Sequence, residues 1–331
     1  MSTAAVVPET WELTGDDAKE TLARTDRTRL VRDAITRLRY SDGFSHARSM
    51  AFLLTLVFVQ AVIAAVGIAS AIGTGTFGRT IVDVLQSVVP GPAGRVLTSA
   101  VHQAHEAGSG GRWTAIAVGT LGALITGTTL LGQIERALNR LYGVEKDRDT
   151  LHKYGRAFLL AITAGLIATL AFAGLGLGRA IASTLGGDLA RTIWNLARWP
   201  LAIAMLVAAT ALIFRWAPRR HQPAWSWLSF GAAVSVTLLA LASVALDLFF
   251  RFGSTFGTTY GPLAGIVALA FWAFFSSLAL LFGAALAAQL EAVRAGAAAP
   301  RSERKATESE PGLTDERAGV SDDRDELATS A

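Results

Sequence analysis

The chain alternates between long apolar runs and short polar inserts. Six runs of about 20 residues or more stand out, at roughly 49–72, 113–133, 157–178, 199–217, 228–250 and 263–289. Each is long enough to cross a hydrocarbon core of about 30 Å as a helix. A helix also satisfies its own backbone polar groups, which lipid cannot do. The pattern predicts an all-α polytopic membrane protein with six transmembrane helices. The last run is long for one crossing, so it is expected to tilt or to extend beyond the bilayer.

The flanks read differently. Residues 1–25 are polar and are expected to be flexible. No apolar region follows closely on a basic start, so no signal peptide is expected. In DRTRLVRDAITRLRY (26–40), Leu30, Val31, Ala34, Ile35 and Leu38 recur at helical spacing among Arg29, Arg32, Arg37 and Arg39, with Asp26 as the N-cap. That predicts a basic amphipathic helix lying on a membrane surface. Between the first two runs, FGRTIVDVLQSVV and AGRVLTSAVHQAHEA are both amphipathic and are separated by PGP at 90–92. They predict an outer helical hairpin. The end of the chain is rich in Ser, Glu, Asp and Arg and is expected to be disordered. The organisation predicted is an N-terminal segment over 1–48, a membrane domain over 49–290 and a disordered tail over 291–331.

Basic residues set the orientation. Counted along the chain, alternate segments carry eight, six, three and six Lys or Arg, and the segments between them carry three, three and one. The total of 23 against seven puts both termini in the cytoplasm by the positive-inside rule. The charged insert at 134–156, which alone carries six, becomes a cytoplasmic turn between spans two and three. Trp113, Trp194 and Trp199 fall at outer boundaries and Trp216, Trp225 and Trp227 at an inner one, where indole rings settle. Only Trp272 lies within a span. Composition agrees: 52% of residues are apolar and 17% charged, below the usual quarter for soluble domains. The basic residues track membrane boundaries and are not interleaved with aromatics, so nucleic acid is not an expected partner.

Candidate chemistry is sparse. The chain has no cysteine, which excludes disulfides and thiolate sites. His102, His105 and Glu106 could contribute to a zinc site, but no third His ligand is near and a solvated helix face is the simpler reading. No nucleophile–base pair, HExxH motif or carboxylate dyad occurs in the spans. Catalytic, cofactor-binding and metal-binding residues are therefore none, and no enzymatic activity is expected. Ala115, Gly119, Ala123 and Gly127, and Ala161, Gly165, Thr169 and Ala173, form small-residue stripes suited to close helix packing or to a gliding interface.

Asp247 is the one acidic residue well within a span, and Arg251 stands one turn on. Two readings stay open: a structural pair, or a substrate or proton site. Thr258, Thr259 and Tyr260, in FGTTYGPLAG, offer hydroxyls in an outer turn or a re-entrant element. Together with Gln60 in span one, these residues are the candidates for a substrate path or gate.

Three stretches carry a family resemblance. LNRLYGVEKDR (138–148), RWAPRR (215–220) and TYGPLAGIVALAFWAFFSSLALLFGAALAAQL (259–290) resemble the marks of the YihY/BrkB family of inner-membrane proteins, once mislabelled ribonuclease BN. Asn139, Tyr142, Gly143 and Arg148 match the loop motif. The resemblance implies six spans with cytoplasmic ends, and some members are linked to envelope lipid export. Two departures stand out. Gln60 is near the place of a mid-span Pro, and Ala285 and Ala287 replace polar residues in GAALAAQL. The expected function is a multi-pass cytoplasmic-membrane transporter or translocator of a lipid or other envelope component of unknown identity. Membrane lipids are the expected partners. The competing expectation is a scaffold or regulator of envelope assembly.

Overall fold

A computed structural model of the protein describes residues 3–10, 12–72, 112–184, 187–252 and 262–302. The described chain forms eight helices: α1 Gly15–Arg24, α2 Arg27–Tyr40, α3 Gly43–Ile72, α4 Arg112–Leu141, α5 Thr150–Thr184, α6 Asp188–Trp216, α7 Trp225–Phe252 and α8 Pro262–Arg294. No strand occurs among the described residues, apart from one isolated bridge between Ala4 and Arg301. The helices α3 to α8 are long and apolar enough to cross a membrane, and they are the six expected spans. The outer hairpin expected between spans one and two lies outside the described residues.

Each span packs on its sequence neighbours, and α8 returns to pack on α3, so the six helices close into a ring. The short α4–α5 and α6–α7 connections set those neighbours antiparallel. One end gathers the start of α3, the α4–α5 loop, the α6–α7 turn and the end of α8. This charged end also carries α1 and α2, so the described segments of both chain termini meet there. Which side of the membrane it faces remains the expectation drawn from the Lys and Arg count. The helix α8 is the most enclosed: 44% of its apolar window is buried, against 17–28% for the other five.

The helices outrun the apolar runs that announced them. The segment 188–198, expected to be part of an outer gap, is helical, and α6 continues through Pro200. Neighbouring helices and local adjustment can offset a proline's missing N–H in a membrane bundle. At the charged end, α4 keeps winding through Glu135, Arg136, Asn139 and Arg140, because helix propensity does not stop where hydropathy does.

Both flanks also correct the sequence reading. Residues 3–10 are ordered, laid across the charged end, and α1 follows them. Asp17 takes hydrogen bonds from the N–H (2.9 Å) and hydroxyl (2.7 Å) of Thr14 and pairs with Arg294 at 2.9 Å. Residues 291–302 belong to the end of α8 and an ordered extension rather than to a disordered tail: Ser302 N–H donates to Thr3 O and Ala5 N–H to Pro300 O. Asp26 does cap α2, accepting from Thr28 N–H at 2.9 Å. But α2 presses Leu30, Ala34, Arg37 and Leu38 into the bundle, and Arg37, placed by the sequence on the basic face, is fully buried.

Small residues bring some helices close and not others. A Cβ on Gly119 of α4 would stand 2.4 Å from the Ala64 nitrogen of α3, and one on Gly283 of α8 would stand 2.3 Å from Gly231 O of α7. These backbones can approach only because hydrogen occupies the Cβ position. The stripe on α5 behaves otherwise: a Cβ on Gly165 or Gly174 would meet nothing within 4 Å. Neither glycine is a point of close helix approach.

The Gly283→Ala variant is accordingly expected to lose about 1–3 kcal/mol through overpacking. Gly165→Ala should leave stability unchanged or slightly raised. Thermal unfolding of the detergent-purified protein by intrinsic fluorescence compares the two directly.

Candidate functional site

The charged end is built from three loop or helix-end elements tied together by buried polar groups. The first is the α4–α5 loop. Asn139, on the last turn of α4, is fully buried and works in two directions. Its Nδ2 donates to Asp147 Oδ1 at 3.0 Å, and its Oδ1 accepts the Arg219 N–H of the α6–α7 turn at 2.8 Å. One amide therefore folds its own loop and docks the next. Gly143 follows with φ +75°, and a Cβ there would stand 2.6 Å from Val6 Cα. Glycine is required twice over, for backbone conformation and for room.

Arg148 closes the loop onto the second element. Its two terminal nitrogens donate to the carbonyls of Ala217 and Pro218, both at 2.6 Å, and one lies 3.3 Å from Glu135. The planar guanidinium suits this forked contact, and a lysine could not reproduce it. Burial holds Arg148 below the usual arginine range, with Glu135 opposing the shift. Asp147 sits between Arg136 and Lys153, each at 3.3 Å. Burial alone would raise its carboxyl; the Asn139 hydrogen bond and the Lys153 charge outweigh it and hold the group below the ordinary range.

The third element is the end of α8. Glu291 receives Arg220 in a two-pronged pair, 2.6 Å and 3.3 Å, with side-chain exposures of 1% and 2%. Thr10 Oγ1 also donates to Glu291, and Arg220 donates to Pro8 O at 3.0 Å. The Arg220 guanidinium stacks over the buried Tyr142 ring at 4.4 Å. Burial pushes the Tyr142 hydroxyl above its usual range, and Glu291 adds to the shift.

Arg37 completes the arrangement. It donates to Gln289 Oε1 at 2.9 Å, Ala5 O at 2.8 Å and Leu141 O at 3.1 Å. Burial pushes it down to about 10, and the nearby Arg220 contributes in the same direction. Residues 3–10 thus form a strap bound by Arg37, Arg220, Tyr142 and Glu291. Trp227, expected at an interface, is buried instead and donates its Nε1 to Thr14 O at 3.0 Å.

The four loop-motif residues, Asn139, Tyr142, Gly143 and Arg148, therefore converge in space with RWAPRR and the end of α8. Arg37, Glu135, Gln289 and Glu291 were missed as members of the site. A signal existed for Glu291: it is the lone carboxylate closing the apolar α8, and RWAPRR was the nearest surplus of cations in the topology. Ala285 and Ala287, where the family pattern has polar residues, are buried one turn earlier, and a Cβ on Gly231 would stand only 2.8 Å from that of Ala287. The polar function at this helix end sits at 289 and 291 instead.

The candidate path residues lie elsewhere. Gln60 is half-buried in the middle of α3 against Gly122 of α4, and its Oε1 is shut from solvent with no hydrogen-bond partner. Asp247 is half-buried on α7 toward the opposite end. Arg251 is one turn on in the same helix, but its side chain lies outside the described residues, as do Thr258, Thr259 and Tyr260 entirely. The structure does not bring Gln60 and Asp247 together with the charged end. Trp272, inside its span as expected, donates to Ser243 Oγ at 3.0 Å.

Fold and site together define an integral membrane protein of six helical spans, gathered at one end by a buried polar knot. The chain belongs to the virulence factor BrkB family, whose model matches residues 34–308. The match begins within α2, so the strap and α1 precede the family's matched region. The chain is 21% identical to the ribonuclease-like protein YfkH of Bacillus subtilis, over 78% of this chain and 94% of that protein. It is 27% identical to a UPF0761 membrane protein of Idiomarina loihiensis, over 58% of this chain and 66% of the relative. It is 29% identical to a UPF0761 membrane protein of Halorhodospira halophila, over 54% of this chain and 39% of the relative. Against the latter two, the chain spans two thirds or less of the relative's length. No solved structure matches the chain.

Breaking the knot from one side should be costly. Arg220→Met strands a buried carboxylate and is expected to lose about 3–5 kcal/mol, whereas the double variant Arg220→Met/Glu291→Leu should recover much of it. Thermal unfolding of the single and double variants in detergent reads the difference.

Acid should loosen the loop. The folded-state carboxyl of Asp147 titrates below its unfolded value of about 3.9, so its stabilisation is complete above that pH and fades as pH falls through the lower, folded value. The thermal midpoint should therefore fall as pH drops below about 4, and Asp147→Asn should flatten that slope.

Proposed function

We propose that the protein is a transporter of the cytoplasmic membrane that moves a lipid or another envelope component, with both termini in the cytoplasm. The observation that carries this reading is Gln60. A primary amide in mid-span, with a buried carbonyl oxygen that accepts no hydrogen bond, is costly in hydrocarbon and tends to be retained for function. A passing polar headgroup or its water would supply the missing donor. The half-buried Asp247 is a second polar station toward the opposite end, and the closed ring of six helices supplies an axis along which a path could open. In this reading the knotted charged end is the closed gate and faces the cytoplasm, which the bias of 23 Lys and Arg over seven supports.

The scaffold reading draws on a different observation: the strap is ordered and woven into the charged end, which would suit a fixed docking platform. The ribonuclease-like name of the Bacillus relative is not carried over. The carboxylates Glu135, Asp147 and Glu291 each face a basic partner inside the fold, a structural arrangement.

Proteoliposomes containing a fluorescent phospholipid, treated with an impermeant reductant, test the transport reading. Bleaching should pass beyond the outer leaflet's half of the label. Gln60→Leu and Asp247→Asn should each slow that second phase by about tenfold, the kinetic equivalent of one lost hydrogen bond of about 1.4 kcal/mol. Bleaching that stops at the outer leaflet, as in protein-free vesicles, contradicts lipid translocation and favours the scaffold.

A further inference from the structure

A groove of about 520 Å³ opens on the outside of the bundle where α5 starts. It is separate from Gln60 and Asp247, and it borders the charged end, sharing Arg148 and Arg219 with the bonds that dock the α4–α5 loop on the α6–α7 turn. Arg148, Arg156 and Arg219 line it together with Asp149, and Leu151, His152, Gly155 and Leu159 of α5 continue the lining. These positions on α5 follow one helix stripe, so the groove runs from charged to apolar along a membrane span.

Its charges are unbalanced. Arg148 is offset by Glu135 at 3.3 Å, and Asp149 is the one carboxylate among the lining residues. Arg219 donates to a neutral backbone carbonyl, Asp147 O, at 2.8 Å, and Arg156 lies over the Trp216 ring at 5.5 Å. Neither has a carboxylate partner among the described residues. One net positive charge is left facing the groove, and each of the two neighbouring guanidiniums opposes the charge on Arg148.

The surroundings fit a lipid rather than a soluble anion. Leu151 is 84% and Leu159 63% exposed, which is unfavourable in water and ordinary against acyl chains. The eight helical rises from Leu151 to Leu159 span roughly 12 Å, enough to lead from headgroup level into hydrocarbon. Trp216 is exposed beside them at the span's end, where indoles mark the membrane interface. Midway, a Cβ on Gly155 would meet nothing within 4 Å, so the groove floor is open at the point an acyl chain would cross.

We propose that this groove is a binding site for an anionic phospholipid, with the phosphate held by Arg156 and Arg219 and one acyl chain lying over Gly155 toward Leu159. The site does not depend on the chain being a transporter: it describes a lipid held on the outer face of α5.

Native mass spectrometry of the full-length protein in neutral detergent tests it. The probes are phosphatidylglycerol, phosphatidylcholine of the same acyl chains, and inorganic phosphate. Phosphatidylglycerol should be retained about tenfold more than phosphatidylcholine, in keeping with two arginines at an anionic headgroup. Arg156→Gln and Arg219→Gln should each lower that preference. Gly155→Leu should block retention while keeping the wild-type thermal midpoint in lipid-free detergent, because its side chain enters open space. Should that variant fail to fold, the two arginine variants decide the matter. Equal retention of the two lipids, or full retention by Gly155→Leu, overturns the proposal. Displacement of phosphatidylglycerol by millimolar inorganic phosphate would mark a soluble-anion site and overturn it equally.

Discussion

The buried pair of Arg220 and Glu291 is the constraint on which the charged end depends. Two ions with side-chain exposures of 2% and 1% have lost their water, and only the two-pronged contact, the Thr10 hydroxyl and the Tyr142 ring offset that loss. The pair therefore admits little slack in where its carriers stand. Arg220 belongs to the α6–α7 turn and Glu291 to the end of α8. Tyr142 begins the α4–α5 loop, and Thr10 ends the strap. Fixing one pair fixes four segments that are far apart in sequence. Asn139 and Arg148 extend the same arrangement outward, each reaching the α6–α7 turn through side-chain bonds to backbone.

Lipid imposes the complementary constraint along the spans. Apolar burial gives little preference for one helix partner over another there, so close packing has to supply it. It does so where Gly119 meets Ala64 and where Gly283 meets Gly231. Backbones meet closely at these crossings, whereas Gly165 and Gly174 of α5 face open space.

The spans were legible because hydropathy and length decide them almost alone. The loop motif was legible as a pattern, but its chemistry was not. Asn139 and Arg148 act on carbonyls and amides of a turn some 70 to 80 residues away, and no local spacing announces that distance. Arg37 misled for a related reason. On a helical projection it falls with Leu30, Ala34 and Leu38 rather than beside Arg32 and Arg39, but its charge grouped it with the basic residues, and no local spacing announces Gln289 of α8 as its partner. The strap was read as flexible because its composition is polar, yet its backbone groups are taken up by side chains of Arg37 and Arg220 and by the loop carbonyl of Tyr142. Polar composition predicts disorder when nothing buried is left to partner the segment, and here buried cations do so. Trp227 shows the same limit: a membrane-boundary position predicted an interfacial ring, and the carbonyl of Thr14, just ahead of α1, captured it.

The absence of cysteine makes the decisive measurement simple. In the membrane-embedded protein, a single Gln60→Cys substitution can be probed with a charged, water-soluble maleimide. Arg219→Cys serves as the exposed control and Phe52→Cys, on the outer face of the same helix, as the lipid-facing one. If Gln60 lies on a path gated by the charged end, Gln60→Cys should label slowly in the intact protein and faster when Arg220→Met/Glu291→Leu removes the knot, while Phe52→Cys stays unlabelled. A cysteine at position 60 that remains as silent as the one at position 52 in both backgrounds would contradict the account.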